Sequence, residues 1–156
     1  MNTPIHKTLR AQLLAASAAI LMVSPAAWAE TQAAEVTQAA LADNPLFQDW
    51  TAPHSPPPFH EIKAAHFIPA FEEAMALHNA EIEAIASNAE APTFENTIVA
   101  LELAGGDLER IQRTFSVLAS SATNDDIRAI QSEMSPRLAA HSSAISLNED
   151  LFGRID

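Results

Sequence analysis

Large apolar side chains recur at steps of three and four between residues 67 and 85, which is the spacing of one face of an α-helix. The members of this stripe are Phe67, Phe71, Met75, His78, Ile82 and Ile85. Pro69 is tolerated because it falls in the first helical turn, and Pro92 follows the stripe. The pattern therefore predicts a helix from about residue 67 to Ser87 or Asn88.

A second stripe follows Thr93, a good N-cap residue, although Asn96 stands where a full capping box has Glu. Its members are Phe94, Ile98, Leu101, Leu108, Ile111, Phe115 and Leu118. The phase continues across Gly105 and Gly106, which favours one long helix with a weak middle, since each glycine costs about 1 kcal/mol relative to alanine. A break into two helices at these glycines stays open.

A third stripe begins after Thr123 or Asn124, and Asp125 and Asp126 suit the positive end of its helix dipole. The stripe consists of Ile127, Ile130, Met134, Leu138, His141 and Ile145, and Pro136 lies off it, where we expect a kink. A further helix is predicted after Asn148. Only about two turns of it precede Asp156, and we interpret this as a sign of truncation.

The region before these helices divides into two parts. Residues 30–43 are polar and rich in alanine, and we interpret them as a flexible leader. Residues 44–62 include the prolines at positions 53, 56, 57 and 58, which exclude a helix because proline lacks an amide hydrogen. The same residues include Leu46, Phe47, Trp50 and Phe59, so we predict an extended proline-rich arm that packs these side chains onto a larger body.

The first residues have the three parts of a secretory signal peptide. Lys7 and Arg10 form the basic region, residues 13–23 are apolar and uncharged, and Ala27 and Ala29 flank Trp28 in a small-x-small cleavage site. We predict a signal peptide over residues 1–29, cleaved between Ala29 and Glu30. The apolar run is shorter than the about 20 residues that a membrane span needs. Export predicts a periplasmic or secreted protein.

Composition narrows the fold class and the partners. Without Lys7 and Arg10, six basic and 20 acidic residues remain, a formal charge of −14, which disfavours nucleic acid and anionic membrane surfaces as partners. No later segment is apolar enough for a membrane span, so no membrane association is expected after signal removal. Three glycines, no tyrosine and abundant alanine favour helix over sheet, and the predicted class is all-α.

The strongest candidate for a metal or catalytic site is the pair His60-Glu61 together with His66. His66 follows His60 by six positions. The zinc motif HExxH needs its two histidines one turn apart on a helix, whereas a six-residue step turns them by about 240°. We interpret His60 as a surface residue and His66 as a half-buried one. No catalytic residue and no metal ligand is assigned anywhere in the chain.

We assign no catalytic role to the other histidines and carboxylates that follow here. His78 and His141 occupy apolar faces, where lone histidines are more typical of core or interface groups than of ligands. The carboxylate pairs Glu81/Glu83 and Asp125/Asp126 are interpreted as solvated faces and helix starts. The sequence has no glycine-rich phosphate loop, no G-x-S-x-G motif and no cysteine.

Three segments of the chain resemble the N-terminal region of the thimet-oligopeptidase-like zinc metallopeptidases, in the group of oligopeptidase A and the peptidyl-dipeptidases. They are residues 45–75, 91–105 and 138–156. Two strings carry the resemblance by their order and spacing: HF-x-PAFEEA at residues 66–74 and PTFENT at residues 92–97. The export signal and the proline-rich arm favour the peptidyl-dipeptidase branch.

The resemblance implies a large, two-lobed helical enzyme that hydrolyses short peptides in a deep channel. In this family Zn is held by an HExxH pair and a downstream Glu, and neither occurs in this sequence. Residues 63–156 would form part of the N-terminal helical lobe, which helps to wall the channel. The fragment itself is expected to be inactive and to bind no Zn.

A second hypothesis stays open. The acidic surface and the apolar stripes also fit a free-standing periplasmic helical module that binds or chaperones other proteins without catalysis.

Overall fold

Helix α1 runs from Phe67 to Ala86, as its apolar stripe predicts, and a short 3-10 turn over Ala64–His66 precedes it. The computed structural model describes Leu41, residues 43–51 and residues 56–155. Within these residues every regular element is helical and none is a strand, which confirms the predicted all-α class. None of the helices described there is long and apolar enough to cross a membrane.

The second stripe does not form one helix. A π-helical segment spans Phe94–Val99, α2 spans Ala100–Leu103, and α3 spans Gly106–Ser121. The prediction of one long helix is therefore wrong, and the break falls at the glycines. Ala104, in an extended conformation, ends α2, and Gly105, with a φ of 74° in the left-handed region, directly precedes α3.

The start of the π-helical segment corrects a second expectation. The Thr93 hydroxyl accepts a hydrogen bond from Asn96 N at 3.1 Å, and Asn96 Oδ1 accepts one from Thr93 N at 2.8 Å. Asn96 thus completes a reciprocal capping box in place of Glu. The wider π turn also shifts the buried face, so that Thr97 is buried while Phe94 is 66% exposed.

The last two helices begin at asparagine caps. Helix α4 spans Asp125–Ser146, and Asn124 Oδ1 accepts from Ile127 N at 2.9 Å. Helix α5 spans Glu149–Ile155, and Asn148 Oδ1 accepts from Leu151 N at 2.9 Å. In each case the side-chain oxygen satisfies a backbone amide that the helix itself leaves without a partner. Pro136 lies inside α4.

The main apolar core joins α1, α3 and α4. Three aromatic rings lie at its centre: Phe115 packs edge-on against Phe67 at 5.0 Å and against Phe71 at 5.6 Å between ring centroids. Its buried members are Leu46, Ile62, Phe67, Ala70, Phe71, Ala74, Leu108, Ile111, Phe115, Ile127, Ile130 and Met134. Burial of these side chains is the largest stabilising contribution that the described residues offer.

A smaller apolar cluster lies at the C-terminal end of α1. Ile82 and Ile85 pack there with Leu151 of α5. On α1, Ala74 belongs to the main core and Ile82 to this second cluster. His78 lies midway between them, so a polar residue occupies the boundary between the two clusters.

The arm is fastened to the helices near its start. Asn44 is buried and its Nδ2 donates to the carbonyl of His66 at 2.9 Å, while Leu46 is fully buried in the main core. Arg110 Nη2 of α3 donates to the Leu46 carbonyl at 2.7 Å, and its guanidinium lies 5.0 Å from the Trp50 ring centroid. Phe59, by contrast, is 40% exposed, so the packing expected of it is not seen.

Candidate functional site

His78 and His141 meet between α1 and α4, two helices that the ion pair of Glu72 with Arg137 also joins at 2.6 Å. His78 Nδ1 and His141 Nε2 lie 3.0 Å apart, and the two ring centroids are 5.0 Å apart with an angle of 59° between the planes. One neutral imidazole donates its N–H and the other accepts it. The two rings thus hold each other in place across 63 residues of sequence.

Gly105 shapes the other side of His78. The amide of Gly105 donates to Glu81 Oε2 at 2.7 Å. A Cβ atom at Gly105 would lie 2.8–3.0 Å from three atoms of the His78 ring, which is closer than real Cβ contacts allow. The His78 ring therefore lies directly over the glycine backbone. His78, Glu81, Gly105 and His141 together are called the histidine cluster below.

The surroundings keep both histidines of the histidine cluster neutral. Burial lowers the pKa of His78, the neighbouring His141 lowers it further, and the Glu81 carboxylate raises it in part. Burial also lowers the pKa of His141. At neutral pH the pair therefore forms a neutral N–H···N hydrogen bond, and each ring has lone-pair density that a proton or a metal ion could use.

The titration of these histidines predicts a loss of stability in mild acid. Their folded-state pKa values lie below the ordinary value of 6.5, so below pH 6.5 the unfolded chain binds more protons than the folded chain. We expect the free energy of unfolding to fall as pH drops below 6.5. It should level off once the pH is below the pKa values that the two histidines have in the folded chain. Urea titrations between pH 7.5 and 5 in the presence of a chelator measure this.

Matched variants isolate the contribution of the pair. Burial and the nearby Lys63 also lower the pKa of His66, so His66→Gln should remove a smaller part of the pH dependence. His141→Gln should remove a larger part, since Gln can still donate to His78 but does not titrate. An unchanged slope in His141→Gln would contradict the assignment.

The residues that most resemble a zinc motif do not converge. His60 Nε2 lies 3.1 Å from Glu61 Oε1 at the surface, with 80% and 59% of the two side chains exposed. His66 Nδ1 instead accepts from the amide of Lys63 at 3.1 Å and stabilises the local turn. Over the described part of the chain, no three His, Asp or Glu side chains are arranged to hold a metal ion.

The remaining predicted residues have separate places. Glu83 is exposed, whereas Glu81 is half-buried in the histidine cluster and is not part of a simple solvated face. Asp125 is an exposed first-turn residue that pairs with Arg128. The predicted signal-peptide residues Ala27, Ala29 and Glu30 lie outside the described residues.

Sequence reasoning identified His78 and His141 as stripe residues but missed that they meet. The sequence indicated only that each histidine stands at a position of its helix stripe where an apolar residue would be expected. Which helix faces which is set by tertiary packing.

Comparison with known proteins relates the chain to two bacterial peptidases. It is 39% identical over 116 residues to a dipeptidyl carboxypeptidase of Salmonella typhimurium (strain LT2) and 40% identical over 113 residues to one of Escherichia coli (strain K12). These matches cover 74% and 72% of this chain but only 17% of each relative. No family profile matches the chain. The chain is thus partly homologous to dipeptidyl carboxypeptidases.

Proposed function

We propose that this chain is the N-terminal portion of an exported zinc metallopeptidase that hydrolyses short peptides. The observation that carries the proposal is the identity of about 40% to two dipeptidyl carboxypeptidases over nearly three quarters of the chain. The name of these relatives denotes release of dipeptides from a carboxyl terminus. This reaction is the one we propose for the whole enzyme, with short peptides as its substrates.

The described residues supply part of the helical framework in this proposal. The resemblance to the zinc peptidases implies a catalytic Zn held by HExxH, and the printed sequence has no such motif. His60, Glu61 and His66 do not fit the role, because His60 and Glu61 pair at the surface while His66 binds the Lys63 amide. No catalytic step is assigned to them, and we expect the isolated chain to be inactive.

A chimeric enzyme tests the proposal. The matching segment of the Escherichia coli dipeptidyl carboxypeptidase is replaced by the corresponding residues of this chain, and cleavage of a blocked oligopeptide is followed. We expect kcat/KM within about tenfold of the parent enzyme, a change of about 1.4 kcal/mol in the barrier. The same assay on the 156-residue chain with added Zn should show no cleavage.

Two controls make the result decisive. The parent enzyme with the segment deleted should lose its activity, which shows that the segment is needed. The chimera must match the parent in circular dichroism and in size. A chimera that passes both tests but does not cleave the peptide would favour the alternative of a free-standing helical module, and so would a stop codon directly after the codon for Asp156.

Export has its own test. We expect the chain produced in Escherichia coli to appear in the periplasmic fraction with Glu30 as its first residue, as measured by mass spectrometry. Ala29→Phe should block cleavage because signal peptidases need a small residue at this position, whereas Glu30→Gln should be processed normally. A chain that keeps residues 1–29 in the cytoplasmic fraction would contradict the prediction.

A further inference from the structure

The distance between the two histidines of the histidine cluster is close to that of a metal site. In a tetrahedral site with Zn–N bonds of 2.0–2.1 Å, two imidazole nitrogens lie about 3.3 Å apart. His78 Nδ1 and His141 Nε2 are 3.0 Å apart. For a metal ion to replace the hydrogen that they now share, the two nitrogens would have to separate by a few tenths of an ångström, and each ring would have to turn so that its lone pair points at the ion instead of at the other ring.

The chemistry of the two rings allows this exchange. Each imidazole has a second nitrogen that can carry the proton, so the two facing nitrogens can both present lone pairs. Burial lowers the pKa of each ring, which limits competition from protons at neutral pH. Both residues are only half-buried, so water can complete the coordination sphere.

The backbone positions of the two histidines are fixed before any ion binds, so that only the rings have to turn. Both histidines belong to long helices that the main core packs together, at α1 and α4. The His78 ring also lies against the backbone of Gly105, which has no side chain to displace it. Fixed ligands lose little conformational freedom on binding, and this favours affinity.

We propose that His78 and His141 form a two-imidazole binding site for a borderline divalent metal ion such as Zn²⁺ or Ni²⁺, with water as the remaining ligands. Imidazole nitrogen suits these ions, whereas Mg²⁺ and Ca²⁺ prefer oxygen ligands. The Glu81 carboxylate adds negative charge beside His78 and favours a cation there. This proposal replaces the expectation from the sequence that the chain binds no Zn. The site does not depend on the proposed peptidase function, because both ligands lie in the printed chain.

Binding can be measured on the complete 156-residue chain after treatment with a chelator. Calorimetric titration with ZnCl₂ and with NiCl₂ should show binding at this site, and MgCl₂ should show none. Assigned histidine ring signals in NMR spectra should shift for His78 and His141 on addition of ZnCl₂. Smaller shifts are expected for His60, which is exposed, and for His66, which lies in the 3-10 turn before α1.

Matched variants separate a metal site from a structural hydrogen bond. His141→Gln keeps a donor to His78 but removes an imidazole, and its Zn²⁺ affinity should fall at least about tenfold. The double variant His60→Gln/His66→Gln should keep the affinity of the original chain. If His141→Gln bound Zn²⁺ with the same affinity as the original chain, the proposal would be overturned, since the ion would then bind elsewhere.

The NMR measurement keeps the test independent of how the variants fold. Unchanged His78 and His141 signals in the original chain at saturating ZnCl₂ would overturn the proposal without any substitution. A peptidase assay has no part in either measurement. Failure of the chimeric enzyme and failure of this site can therefore be told apart.

Discussion

Gly105→Val should destabilise the chain by about 2–4 kcal/mol. This cost combines the strain of holding a β-branched residue in the left-handed region with the cost of overpacking a filled space. The φ of 74° is one that glycine adopts freely and valine adopts only with strain. A Cβ would in addition lie 2.8–3.0 Å from the His78 ring and displace it from His141. Urea denaturation followed by circular dichroism measures the loss.

Gly106 provides a matched control for this substitution. It begins α3, and apart from its chain neighbours and the backbone of its own helix no atom lies within 4 Å of the position that a Cβ would take. Gly106→Ala should therefore be neutral or stabilise the fold by up to about 1 kcal/mol, because alanine restricts the unfolded chain. Equal costs at the two glycines would contradict the break between α2 and α3.

Much of the fold could be predicted from local features of the sequence. Helix α1 follows from a regular stripe that ends before Pro92, and α4 follows from Asn124, whose side chain caps the helix start. Both signals act within a few residues, so neither depends on the rest of the fold. The periodic pattern also identified the aromatic side chains of the main core.

The errors arose where a distant contact decides the local structure. Apolar phase alone continued the second helix across Gly105, but the Gly105 amide binds Glu81, 24 residues away on α1. The contact between His78 and His141 spans 63 residues and depends on how α1 packs against α4. Asn96 was judged against the Glu of the usual capping box, although its amide oxygen can accept the same hydrogen bond.

Phe94 and Phe71 show what these errors mean for energetics. The apolar stripes give both residues the same role, as buried members of a helix face. In the structure Phe71 is 1% exposed, packed against Phe67 and Phe115, whereas Phe94 is 66% exposed. The two phenylalanines should therefore differ widely in their contributions to stability, although the sequence pattern treats them alike.

Phe71→Ala should lower the free energy of unfolding by about 3–5 kcal/mol, because it removes a buried ring and leaves a cavity between α1 and α3. Phe94→Ala should change it by no more than about 0.5 kcal/mol, as is usual for exposed positions. Urea titrations of both variants at one temperature give the two values, and an unchanged denaturant slope assigns the change to stability. A large cost at Phe94 would mean that the π-helical segment packs its ring inward, as a single helix through Gly105 would require. A small cost at both positions would instead place the centre of the main core away from the aromatic rings.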